Sequence, residues 1–187
     1  MKNIYGLPLI AACLVSSAAV SNAQIVNGGF ETGDFTGWTA SANSFPMDIV
    51  TSPVNSGTYA AQIAGFAFNP DTLSQTVATG AGQDYTLSFW RYIADGNPTT
   101  LLDVYWDNTL KYSELNTGPF NAYSEISFNV VGTGSDTLEF VCANDPSFTY
   151  LDDVSLTPGV PDGGTTVALL GLALTGIAGF RRKSSPK

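Results

Sequence analysis

Chemistry in this sequence must come from carboxylates, amides and aromatic rings, because the chain contains no histidine. That excludes Ser-His-Asp and Cys-His catalysis, and imidazole-built zinc sites, in their usual forms. The 16 acidic residues leave a two-carboxylate glycan-cleaving site open by counting, yet no spacing singles out such a pair. In the stretch "LDDVSL", strict alternation turns Val154 and Leu156 toward a core, with Asp152 on their side and Asp153 on the other. A carboxylate at the edge of a core face is costly unless something pairs with it. Between residues 24 and 158 only Arg91 and Lys111 are basic, so a metal ion is one answer and hydrogen bonds from loop amides are the other. Calcium takes roughly six to eight hard oxygens, and the stretch "NGGFE" offers Glu31 beside glycine backbone. A second constellation is Trp90, Tyr92, Asp103 and Tyr105, which alternation sets on the side of two middle strands opposite the core. Rings stack on the apolar faces of sugars and carboxylates bind hydroxyls, so these residues could form a glycan platform. The same rings could instead pack as cross-strand pairs or under loops.

The elements that would position these residues are strands. "QDYTLSFWRYI" sets Tyr85, Leu87 and Phe89 against Thr86, Ser88, Trp90 and Tyr92, and "LLDVYWD" sets Leu102, Val104 and Trp106 against Leu101, Asp103 and Tyr105. "SEISFNVV" alternates Ile126, Phe128 and Val130 with polar residues. Further strands are expected near 25–31, 47–51, 58–64, 72–78, 109–113, 137–143 and 149–157, with turns rich in Gly, Asn, Pro and Asp between them. Short strands without helical periodicity predict an all-β, antiparallel, two-sheet sandwich. Cys142 shares parity with Leu138 and Phe140, which predicts a packed core thiol. Trp38 is expected to close over one end of the core.

The two ends carry targeting signals. No charge occurs from Ile4 to Ala23, and Ser21-Asn22-Ala23 suits a signal peptidase, so residues 1–23 read as a signal peptide cleaved before Gln24. "IAAC" up to Cys13 also fits a lipoprotein box and stands as the other reading. Under the first reading Cys142 is the one cysteine left, and no internal disulfide can form. Residues 165–180 carry no charge; as a helix they span about 24 Å, somewhat short of a ~30 Å hydrocarbon core. Arg181, Arg182 and Lys183 follow at once, which places the tail in the cytoplasm and residues 24–158 outside. That outer part holds 15 acids against two basic side chains, a balance of −13, which speaks against nucleic acid or anionic lipid and for cations, neutral glycans or plain solubility.

Val160-Pro161-Asp162-Gly163-Gly164, the apolar run and the basic cluster together resemble the C-terminal sorting signals of the PEP-CTERM family, in the variant that begins Val-Pro-Asp-Ser-Gly, with Gly163 in place of the serine. The resemblance implies an exported bacterial surface or matrix protein handled by an exosortase, a membrane-embedded processing enzyme. Pro161 disfavours helix at Val160 and Gly163-Gly164 keep the junction open, as processing would require. Between the ends, "VNGGFETGDFTGW", "LSQTVATGAGQDYTLSFW" and "YLDDVSLTP" resemble the opening, middle and closing strands of galactose-binding-like jelly rolls, the form of many carbohydrate-binding modules. This resemblance implies a jelly roll over 24–158 and a structural calcium held by the Glu31 carboxylate, the Gly29 carbonyl and the Asp152 carboxylate. The function expected is a non-catalytic surface module that binds glycan or exopolysaccharide. A purely structural matrix component and a small carboxylate-dependent glycan-active enzyme are the competing readings.

Overall fold

A computed structural model describes residues 23–43, 45–95, 100–120 and 122–159. The expected signal peptide 1–23 except its last residue Ala23, the motif Val160–Gly164, the apolar run 165–180 and Arg181–Lys183 lie outside the described residues. Ten strands follow in chain order: β1 (Thr39–Ser41), β2 (Asp48–Val50), β3 (Ala60–Ile63), β4 (Asp71–Ala78), β5 (Asp84–Ile93), β6 (Leu101–Trp106), β7 (Thr109–Leu115), β8 (Ser124–Val131), β9 (Ser135–Ala143) and β10 (Thr149–Pro158). They form two five-stranded antiparallel sheets, in the orders β1-β4-β9-β6-β7 and β2-β3-β10-β5-β8. Apart from the β2-β3 and β6-β7 pairs, consecutive strands alternate between the sheets, so the chain winds around the core. The β6-β7 hairpin turns at Asp107 and Asn108, both at positive φ (49° and 58°), the backbone that a two-residue turn matched to strand twist demands.

Alternation supplies the core. Tyr85, Leu87, Phe89 and Ile93 of β5 face Leu102, Val104 and Trp106 of β6 and Leu138, Phe140 and Cys142 of β9, all buried. Phe89 and Phe140 meet edge to face at 5.1 Å, and burial pushes the Cys142 thiol well above its ordinary range. Trp38 packs on Phe30 and Phe140 at 5.7 and 6.1 Å, and its indole donates to the Asn27 carbonyl. Arg91 shares the inward face of β5 and is 6% exposed. It forms a two-pronged ion pair with Glu114 of β7, both bonds 2.8 Å, and Phe120 lies 3.8 Å below its guanidinium. The pair ties the two sheets together, and its two bonds offset part of the cost of burying the charges while Arg91 Nη1 is left without a hydrogen-bond acceptor among the described residues.

Two expectations give way here. Residues 25–31 form successive turns instead of a strand, because Asn27 and Phe30 sit at positive φ (51° and 57°) and Phe30 N donates back to the Asn27 carbonyl. Asp152 does not share the side of Val154 and Leu156. Asp152 pairs with Trp90 and Ser155 with Ser88, so β10 carries one residue too many, a bulge in which Asp153 takes φ 49°. The bulge resets the alternation: Leu151 and Val154 both join the core, while Asp152 turns to the outer face with Tyr150.

Candidate functional site

The outer face of the second sheet is capped. The loop 51–59, between β2 and β3, crosses it, and Tyr123 donates to the Pro53 carbonyl at 3.0 Å. Asp152, 0% exposed beneath this loop, accepts from the Asn55 and Ser56 amides at 2.8 and 3.2 Å and from the Asp153 amide at 2.8 Å. Asp153 accepts from the Asn55 side-chain amide and the Ser56 hydroxyl at 2.7 and 2.9 Å. Glu31 accepts from the Thr58 and Tyr59 amides, with Thr58 at 2.9 Å. The expected cation ligands Glu31, Gly29 and Asp152 are thus brought to one corner, where Asp153 joins them. A Cβ on Gly29 would meet Asp153 Oδ1 at 3.4 Å and Asp152 Oδ1 at 3.9 Å, and one on Gly57 would meet Glu31 Oε1 at 2.2 Å. Burial raises the Asp152 carboxyl to about 6, against the amides of Asn55 and Ser56, which pull it down. The donors are hard oxygens without a basic side chain bonded to them, which fits calcium in kind. Their bonds run to loop amides, and among the described residues no three acidic, cysteine or histidine side chains gather as a metal cluster.

Sequence reasoning undervalued two parts of this corner. Asn55-Ser56-Gly57 reads from sequence as a turn offering at most a carbonyl near Ser56 or Gly57, yet the Asn55 and Ser56 amides hold Asp152, the Asn55 side chain and Ser56 hydroxyl hold Asp153, and the Thr58 and Tyr59 amides that follow hold Glu31. Asp153, assigned away from the action by parity, joins through the bulge. The adjacency "DD" was the signal available, since two aspartates in one strand are poor strand formers and want an external partner.

The four residues of the expected platform do not form one surface. Trp90 and Tyr92 belong to β5 and face outward from the second sheet, whereas Asp103 and Tyr105 belong to β6 and face outward from the first, on the opposite side of the sandwich. Tyr92 packs against Tyr123 and Tyr150 at 5.6 and 5.7 Å beside the capping loop. Trp90, half-buried, is flanked across the strands by Asp152 and Glu125.

The outer face of the first sheet is different. Tyr105 is half-buried and stands opposite Glu139 of β9; its hydroxyl lies 3.5 Å from Asp103 Oδ2. Desolvation and the nearby carboxylates of Asp103 and Glu139 raise the Tyr105 phenol. Asp103 Oδ1 has no hydrogen-bond donor. Around this trio the register places Ser74, Thr72, Val141, Ser113 and Leu110, mostly small side chains. Among the described residues, no loop donates to the side chains of the trio. Glu139, its third member, was missed because parity alone does not say which strands lie side by side.

Two wound sheets, one outer face capped by a loop and the other carrying an aromatic ring and two carboxylates to which no described loop donates, define a jelly-roll sandwich. The chain belongs to the carbohydrate binding domain family, which matches residues 22–137. Residues 159–184 match the VPDSG-CTERM motif. No curated protein is similar enough to the chain to match it. Among solved structures, TmCBM61 in complex with beta-1,4-galactotriose is 22% identical, covers 71% of this chain and 96% of that one, and superposes with a TM-score of 0.59. The CBM22-1 xylan-binding domain of Paenibacillus barcinonensis Xyn10C is 15% identical over 75% of this chain and 97% of that one, TM-score 0.56. The K3 cleaved adhesin domain of Lys-gingipain from Porphyromonas gingivalis is 17% identical over 74% of this chain and 100% of that one, TM-score 0.56. These likenesses bear on the fold. Among the described residues no helix is long and apolar enough to cross a membrane.

Proposed function

We propose that this chain is an exported, surface-displayed protein whose jelly roll binds a neutral glycan, without cleaving it, on the outer face of the first sheet. The observation that carries this reading is the half-buried Tyr105 ring set between the carboxylates of Asp103 and Glu139, side chains to which no loop donates among the described residues. The ring offers a stacking surface, and the carboxylates accept from sugar hydroxyls. A neutral ligand suits the charge: with Arg91 locked in the core, Lys111 is the one basic side chain on the surface among the described residues. Polyanions would meet repulsion. The VPDSG-CTERM match supports sorting through Val160–Gly164 and the Arg181–Lys183 cluster by an exosortase-type enzyme. Calcium, held by Glu31, the Gly29 carbonyl and Asp152, would act as a structural staple of the closing strand.

The test is retention of the full chain by immobilised neutral polysaccharides. Tyr105→Ala and Asp103→Ala should each weaken retention at least tenfold, and Trp90→Ala, on the far side, should leave it unchanged. Unaltered retention in the Tyr105 and Asp103 variants would exclude this face.

A further inference from the structure

A different feature stands at the end of the sandwich where β10 begins. The loop 64–70 carries Phe68, 87% exposed. Its ring lies parallel to that of Phe66, 5.4 Å between centroids and 2° between planes, and Phe66 meets Phe45 at 5.5 Å. The loop is fixed from several sides. Asn69 N donates to the Phe66 carbonyl at 2.9 Å and its side chain to the Asn43 carbonyl at 3.3 Å; the Asn43 side chain donates to the Pro70 carbonyl at 2.6 Å. Gly65 sits so close to neighbouring backbone that a Cβ would fall 2.5 Å from the Cys142 carbonyl oxygen. Phe68 is therefore held out in water by a braced turn, already in the conformation in which it would meet a partner, which lowers the entropic cost of binding. Beside the stack lies a cleft of about 100 Å³ between Phe45 and Phe148, with Ala64 and Pro146 as apolar walls and Asp145 and Ser147 as polar lining.

We infer that this end is a second saccharide site, which takes one pyranose ring of a neutral glycan. The ring's apolar face lies on Phe68 and its hydroxyls reach toward Asp145 and Ser147. Three observations choose this occupant. First, the cleft is lined by a carboxylate and no basic side chain, so phosphate and uronate groups are unwelcome. Second, two rings and a small cleft offer a few hundred Å² at most, far below the roughly 1,200 Å² of a stable protein interface. Third, β10 enters at this end, and the chain leaves at the opposite one, where Gly159 N donates to the Asp84 carbonyl at 2.7 Å. Ten residues of strand separate the two, about 33 Å, so a domain held by its C-terminal tail turns this end away from the membrane. The site shares with the Tyr105 face only its class of ligand and stands without it.

The experiment is native affinity electrophoresis of the full chain in β-1,4-galactan, xylan, β-glucan and mannan, comparing wild type, Phe68→Ala and Tyr105→Ala. Phe68 is exposed enough that Phe68→Ala should melt as wild type does, which a thermal scan checks. Phe68→Ala should bind the retarding polysaccharide at least tenfold more weakly. If it is retarded as wild type is, the end site is refuted while the Tyr105 face stands or falls on its own variant. If Tyr105→Ala binds normally and Phe68→Ala does not, the sheet-face reading falls and the end site stands. No retardation of wild type by any of the four overturns both. Binding to phosphatidylglycerol vesicles that Phe68→Ala abolishes, without polysaccharide binding, would reassign the end to lipid and also overturn the inference.

Discussion

Asp152 is expected to make the domain lose stability with rising pH in the absence of calcium and to leave it nearly pH-independent in its presence. In chelator, its carboxyl is held near 6 against an ordinary 3.8 because burial penalises the charge. A raised acid stabilises the fold fully below the unfolded value, and that contribution is lost as pH rises through the folded one. The difference corresponds to about 3 kcal/mol between pH 3.8 and 7, a fall in melting temperature on the order of 10 °C for a domain of this size. The neighbouring Asp153 carboxylate contributes part of that rise. Calcium binds the ionised form, so its affinity should grow through the same pH interval. At a hundredfold excess over its dissociation constant it returns about 2.7 kcal/mol, which nearly offsets the loss. The assay is thermal unfolding of wild type and Asp152→Ala from pH 4 to 7.5, each in chelator and in millimolar calcium. The variant loses the bonds to the Asn55 and Ser56 amides at every pH, an offset, and with them the pH dependence that Asp152 and its coupling to Asp153 supply. The difference between the curves therefore isolates Asp152. A variant whose chelator curve runs parallel to wild type would refute the burial argument. A variant that keeps its calcium shift would refute the ligand assignment.

Glu114→Gln should cost roughly 3–5 kcal/mol, because Arg91 would keep its charge inside the core with its partner's negative charge gone; urea unfolding measures it, and a loss under 1 kcal/mol would show the pair to be dispensable. Gly57→Ala should destabilise by more than about 1 kcal/mol, since φ is 62° and the new carbon would sit 2.2 Å from Glu31 Oε1; it should also weaken any calcium response, read in the same thermal scans. Neutralising Arg181, Arg182 and Lys183 together should leave the full-length form unprocessed or unretained. Intact mass of membrane and extracellular fractions reports this, and a mature C terminus near Val160 in that variant would count against the sorting role.

Alternation told truly which way each side chain of β5, β6 and β8 points, and it found the Cys142 core position, because period two follows directly from the pleat. It could not tell which sheet a strand joins. β5 and β6 are consecutive yet lie in different sheets, so "away from the core" means opposite directions for Tyr92 and Tyr105, and the expected four-residue platform comes apart. It failed in β10 because one extra residue, Asp153, inverts every assignment on the far side of the bulge. In the stretch "VNGGFE" the backbone was misjudged: Asn27 and Phe30, both at positive φ, build turns that bring the Glu31 carboxylate to the loop 51–59. Carboxylates and rings were therefore legible as types, and their neighbours across strands were not.

The ion pair in the core has a consequence outside it. By withdrawing Arg91 from the surface, the fold leaves a shell of carboxylates relieved only by Lys111 among the described residues. Copies displayed side by side would then repel over a distance that salt sets, about 8 Å at physiological ionic strength. A crowded layer of such domains would swell in fresh water and draw together in brine, so that ionic strength, acting on many copies at once, governs how densely the coat can pack.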